Sequence, residues 1–151
     1  MTPETLFGLA GKTALVTGGA TGVGRMAAEG LMAAGARVLI ASRKEDACKA
    51  AAADLNGLGY SGKAEGFAGD VSTEEGVAAL AEEVGRRTDK LAILMNNAGT
   101  SWGMPLGEFP YHAWERVMRV NVTGLFQLTQ SLLPRLEAAA SDDDPARGVN
   151  V

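Results

Sequence analysis

Eight consecutive residues, Thr17-Gly18-Gly19-Ala20-Thr21-Gly22-Val23-Gly24, restrict the fold of this chain more than any others. A short apolar run, Thr13-Ala14-Leu15-Val16, precedes them, and a stretch rich in Ala, Met, Leu and Glu, from Arg25 to Ala34, follows. The order reads as strand, glycine turn, helix. Glycines at such a turn let a diphosphate approach the backbone where no Cβ obstructs it. The helix N-terminus adds unpaired N–H groups and the positive end of the helix dipole. Gly18, Gly22 and Gly24 are spaced G-x-x-x-G-x-G rather than the commoner G-x-G-x-x-G. A glycine turn also serves simply to join a strand to a helix, so the other strand ends have to carry the argument.

The remaining sequence repeats the strand–helix alternation. Lys12 to Thr17 is the first strand, and Gly22 to Ala34 is the first helix, stopped at Gly35. Ala36 to Ala41 reads as the second strand, Lys44 to Leu55 as a helix, and Ala64 to Ala68 as a weaker third strand interrupted by Gly66. Ser72 or Thr73 is the expected N-cap of a helix through Arg87. Leu91 to Met95 is a strong fourth strand, and Asn96 to Pro110 a long glycine-bearing loop. From Tyr111 to Ala139, Trp114, Val117, Met118, Asn121, Leu125, Leu128, Leu132 and Leu136 recur at helical spacing, with Pro134 as a kink or break. Val149-Asn150-Val151 begins a fifth strand. Repeated βα units imply a doubly wound parallel sheet with helices on both faces. Ligands bind such sheets beyond the strand C-termini, at the switch point beside the first strand.

The residues at those strand ends suit a dinucleotide. An acid is expected about 20 residues past the glycines when a free ribose 2′-hydroxyl is bound. Here Ser42 stands at the strand end, followed by Arg43 and Lys44. A guanidinium beside a short hydroxyl suits a 2′-phosphate, which favours NADP(H) over NAD(H); the same arginine in a solvated first turn is the plainer alternative. Asp70 and Val71, just past the third strand, suit an adenine amino group and ring face, or a loop cap. Asn97, Ala98 and Gly99 leave space for a nicotinamide ribose, and an Asn amide there can tie neighbouring strands. Asn121, on an otherwise apolar helix face, needs polar partners. By spacing alone it reads as a structural, hydrogen-bonded Asn.

Bulk properties narrow the classes. The 151 residues, read as one domain, carry a net charge of −4 and no extended basic cluster, which argues against nucleic acid as a partner. No apolar run approaches the roughly 18 residues of a membrane span. The N-terminus carries Glu4 without a basic segment and does not read as a signal peptide. The single cysteine, Cys48, fits a reducing cytoplasm and reads as a helix packing residue. The run Asp142-Asp143-Asp144 reads as a solvated loop, with no metal site assigned anywhere.

The set TGGATGVG at 17–24, Asp70, NNAG at 96–99 and Asn121 within NVTG resembles the short-chain dehydrogenase/reductase superfamily. The tract NNAGTSWG at 96–103, with Pro145-Ala146-Arg147, is similar to NADPH-dependent β-ketoacyl reductases of the type associated with rhamnolipid synthesis. The resemblance implies a Rossmann domain and hydride transfer between NADP(H) and a carbonyl or alcohol substrate. It assigns Gly18, Thr21, Gly22, Val23 and Gly24 to the diphosphate, and has Arg43 mark a preference for NADP. Asp70 and Val71 fall to adenine, and Asn97, Ala98 and Gly99 to the nicotinamide half. Asn121 corresponds to the family's catalytic Asn, which holds a water in a proton relay. A homodimer or homotetramer is expected of the full-length protein.

The family's Ser, Tyr and Lys lie after the fifth strand in its order, and this sequence reaches only the start of that strand. Tyr60 lies away from the site, and Tyr111 is followed four residues on by Glu115 rather than Lys. The expectation is a cofactor-binding part that is inactive alone, or alternatively a non-catalytic NADP(H)-binding regulatory module. A fourth strand left without a complete neighbour is expected to form an apolar sheet edge.

Overall fold

In the computed structural model, residues 6–141 and the backbone of residues 147–150 are described. Five parallel strands form one sheet: β1 (Thr13–Thr17), β2 (Arg37–Ser42), β3 (Lys63–Ala68), β4 (Ile93–Asn96) and β5 (Arg147–Asn150). Their order is β3-β2-β1-β4-β5, so the chain reverses its direction of travel between β1 and β4. That reversal opens a crevice above the C-terminal ends of the two strands. Leu15 of β1 lies level with Leu39 of β2 and Leu94 of β4.

Strand alternation divides the core in two. Ala14, Val16, Val38 and Ile40 face helices α1 (Gly22–Ala33) and α2 (Glu45–Asn56), packing with Ala28, Met32, Cys48 and Leu55. Leu15, Leu39 and Leu94 face the other way, toward Leu80 and Val84 of α3 (Glu74–Arg87) and Leu128 and Leu132 of α5 (Leu125–Ala139). Burial on both faces explains why these strands read as continuous apolar runs. Thr73 caps α3, its hydroxyl accepting the Gly76 N–H at 3.0 Å. Gly66, which weakens β3 as a sequence signal, is where α2 crosses the sheet: a Cβ there would stand 2.1 Å from the Cys48 carbonyl oxygen.

Two expectations are corrected. The helical pattern from Tyr111 to Ala139 is not one α-helix. It comprises α4 (Tyr111–Met118), a π-helical segment at Arg119–Gly124, and α5, which runs through Pro134 without ending. A widened turn adds only one residue to the repeat, and a pattern of mixed three- and four-residue spacings does not register so small a change. The second correction concerns β4. It pairs with β5 over Ile93–Asn96 and is an interior strand. Leu91 and Ala92, expected to begin it, lie just before it, with their N–H groups bonded to the Arg135 and Thr13 carbonyls. The Asp142–Asp144 run lies outside the described residues.

Candidate cofactor site

Sequence locality places the glycine turn, and long-range hydrogen bonds fix its shape. Gly18 adopts φ +66° and Gly22 φ +55°, a region where L side chains are strained. Thr21, the residue before α1, makes no side-chain cap, so the first turn of the helix faces the crevice with its N–H groups uncovered by a cap. Gly24 is required by packing instead. A Cβ on it would lie 2.4 Å from the Asn97 Nδ2 and 2.5 Å from the Gly18 carbonyl oxygen.

Asn97 closes the crevice floor. Its Nδ2 donates to the Thr17 carbonyl at 2.9 Å and the Gly18 carbonyl at 3.2 Å. The Thr17 hydroxyl accepts from the Asn97 and Ala98 N–H groups at 3.1 and 3.0 Å and donates to the Met95 carbonyl at 3.4 Å. All three hydrogen-bonding capacities of that hydroxyl are used. Buried almost completely, Thr17 welds the end of β1 to the end of β4.

Above this floor lies a cleft of about 590 Å³, within the usual range for a bound small molecule or cofactor. Gly18, Thr21, Val23 and Gly24 line one end, and Ser42 and Arg43 the corner beyond β2. Asp70 and Val71 form a side wall, and Asn97, Ala98 and Gly99 the end beyond β4. Among the expected site residues, Gly22 and Asn121 do not line the cleft. Gly22 shapes the turn behind it. The Asn121 side chain is committed to the neighbouring loop, its Oδ1 accepting the Thr100 N–H at 2.8 Å and its Nδ2 donating to the Thr100 carbonyl at 2.9 Å. These two bonds tie the loop after β4 to the π-helical segment. Gly124 seats the other end of that segment, since a Cβ there would lie 2.0 Å from the Val71 carbonyl oxygen. Asp70 likewise has a local duty, accepting the Ser72 N–H at 2.8 Å.

Thr17, Thr100, Arg116, Arg119 and Val120 also line the cleft and were not singled out from the sequence. Thr17 opens one recognised motif and Val120 adjoins another; the two arginines carry no sequence signal, because only the fold brings α4 and the π-helical segment over the strand ends. The lining holds three arginines, Arg43, Arg116 and Arg119, against one carboxylate, Asp70. In a chain of net charge −4 this is a locally cationic cleft, suited to an anionic ligand. Among the described residues the lining includes no tyrosine, lysine, histidine or cysteine. Tyr60 donates its hydroxyl to Glu29 at 3.1 Å beside the α1–α2 core, and that carboxylate pushes the phenol up.

A sequence profile of the short chain dehydrogenases matches residues 12–146. The chain belongs to the short-chain dehydrogenase family. A rhamnolipid-biosynthesis 3-oxoacyl-[acyl-carrier-protein] reductase of Pseudomonas aeruginosa is 46% identical over 145 residues, 96% of this chain and 56% of that protein. A 3-oxoacyl-[acyl-carrier-protein] reductase of Aquifex aeolicus is 36% identical over 128 residues, covering 85% of this chain and 51% of its own. This family member therefore spans about half the length of these curated relatives. The Pseudomonas aeruginosa RhlG/NADP active-site complex superposes with a TM-score of 0.90 at 47% identity, over 99% of this chain and 57% of the other. A 3-oxoacyl (acyl-carrier-protein) reductase of Agrobacterium tumefaciens with NADP bound gives 0.85 at 31% identity, over 99% and 55%.

Proposed function

We propose that this short-chain dehydrogenase chain binds NADP(H) and forms the cofactor-binding part of a reductase for a carbonyl substrate of the 3-oxoacyl type. The observation that carries the proposal is the corner of the cleft beyond β2. There Ser42 and an Arg43 without an ion pair among the described residues replace the acid that would accept a ribose hydroxyl. The two NADP-bound reductases of similar fold and the names of the relatives support it.

The N–H groups at the start of α1 would hold the diphosphate, Asp70 and Val71 the adenine, and Asn97, Ala98 and Gly99 the nicotinamide ribose. Gly18 and Gly24 keep the cradle floor free of side chains, which suits close approach by a dinucleotide. When bound, the nicotinamide supplies or accepts the hydride. Asn121 holds the loop at Thr100 in place beside it and contributes to the proton relay through that position. Among the described residues no tyrosine, lysine, histidine or cysteine lines the cleft, and losing a general acid costs about 100- to 10,000-fold. These residues by themselves are therefore inactive toward ketones. That absence also favours a second reading, an NADP(H)-binding module with a regulatory role.

The compartment proposed is the cytoplasm, and no helix among the described residues is long and apolar enough to cross a membrane. The exposed Trp114, Val122, Phe126 and Leu133 along α4 to α5 support self-association of the full-length protein as a dimer or tetramer. The test is fluorescence titration of the chain with NADPH and NADH, alone and with Arg43→Ala. The expected result is a preference for NADPH that falls by roughly tenfold or more in the variant, with NADH affinity unchanged. An NADPH preference that survives intact refutes the role of Arg43. NADPH oxidation with a 3-oxoacyl thioester at enzymatic rates refutes the inactivity.

A further inference from the structure

The buried Cys48 is left unused by the cofactor site, yet it touches that site from below. It lies on the first turns of α2, fully buried, where Gly66 lets the helix backbone settle against β3. Its Sγ stands 3.0 Å from the Oγ of Ser42, the last residue of β2 and part of the cleft wall. The Ser42 Oγ also accepts the Lys44 N–H at 3.4 Å. Two acceptors compete for the Ser42 hydrogen: the Cys48 Sγ itself, if that contact runs the other way, and the Lys44 carbonyl oxygen at 3.5 Å, the limit of a hydrogen bond.

A serine hydroxyl has two acceptor positions and one hydrogen to give, whereas a cysteine thiol is a weak donor and its sulfur a weak acceptor. With the thiol hydrogen directed at Ser42 Oγ and the Lys44 N–H at the same atom, both acceptor positions of the hydroxyl are filled. Its own hydrogen is then the remaining capacity. A phosphate is acceptor-only, so it is complementary to a hydroxyl preset as a donor and indifferent to one preset as an acceptor.

We propose that Cys48 is a positioning residue for cofactor selection: its thiol presets Ser42 as a hydrogen-bond donor toward the 2′-phosphate without touching the cofactor. The proposal rests on the NADP(H) reading above. It separates two contributions to selectivity. Arg43 supplies charge from the rim, while Ser42 supplies a directed donor whose direction is set from the core. The pairing has no signature in sequence, since six residues and a turn separate the two side chains.

The test measures NADPH and NADH affinity by fluorescence titration for the chain, Cys48→Ala, Cys48→Ser, Ser42→Ala and the Ser42→Ala/Cys48→Ala pair. Thermal unfolding shows that each variant is folded. Loss of the thiol donor weakens NADPH by about threefold to tenfold, the scale of one net hydrogen bond, and leaves NADH unchanged. Cys48→Ser, which keeps a donor, retains the preference. In the Ser42→Ala background, Cys48→Ala has no further effect, because the hydroxyl it acts through is gone. Equal weakening of both dinucleotides by Cys48→Ala, additive effects in the double variant, or an unchanged preference in Cys48→Ala each overturn the proposal. A parent chain that binds neither dinucleotide instead overturns the nucleotide reading, and the proposal falls with it.

Discussion

Gly24→Ala tests how the cofactor cradle is built, because two physical effects predict opposite signs. Gly24 lies in the first turn of α1 with ordinary helical backbone, so propensity alone makes alanine more stable by about 1 kcal/mol. The packing says otherwise. The new methyl would sit 2.4 Å from the Asn97 Nδ2 and 2.5 Å from the Gly18 carbonyl oxygen. Overpacking of this kind costs about 1–3 kcal/mol. If Asn97 gives way, its two bonds to the Thr17 and Gly18 carbonyls are lost. At about 1 kcal/mol each they add roughly 2 kcal/mol. Setting the propensity gain against these, the net loss is about 2–4 kcal/mol. For a domain of this size that lowers Tm by roughly 5–15 °C. The assay is thermal unfolding followed by circular dichroism, with NADPH titration on the same samples. Gly22→Ala is the comparison: nothing lies within 4 Å of its Cβ, so only the strain of φ +55° remains, about 1–2 kcal/mol. A Gly24→Ala chain as stable as its parent, or a Gly22→Ala chain hurt more, refutes the packing argument.

Asn121→Ala removes both hydrogen bonds to Thr100. It is expected to cost about 1–3 kcal/mol and to raise amide hydrogen exchange at residues 99–101 above the global change; uniform exchange throughout contradicts the assigned role. Glu83 answers to pH. The guanidiniums of Arg87 and then Arg86 hold its carboxyl below the usual carboxylate value. A depressed folded pKa stabilises above the ordinary value of 4.5 and loses that contribution as pH falls through the lower folded one. The Tm difference between the parent and Glu83→Gln should be constant above pH 4.5 and shrink in acid; a difference that grows in acid refutes it.

Much of the fold was legible because its signals are local. Glycine at positive φ, apolar runs of strand length and helical stripes are all set by near neighbours, and they give the βα alternation and the turn at Gly18 and Gly22. Asp70, Val71, Asn97, Ala98 and Gly99 could be placed as well, because in a parallel sheet a strand end is a position in space. The π-helical turn at Arg119–Gly124 was not legible, as the apolar stripe resumes beyond it. Nor was the pairing of β4 with β5, since a few residues of strand pattern do not say how far a ladder extends.

By itself, the sequence determined a doubly wound sheet and the strand ends at which a nucleotide would sit. Tertiary structure alone decided what holds those ends together. Thr17 and Asn97, 80 positions apart, are joined by hydrogen bonds that no periodicity encodes. The need for glycine at 24, the arrival of Arg116 and Arg119 at the cleft, and the contact of Cys48 with Ser42 have the same origin. Each depends on how separately formed elements are set against one another. Local patterns fix how a segment folds; which side chains then meet is fixed only when the segments pack.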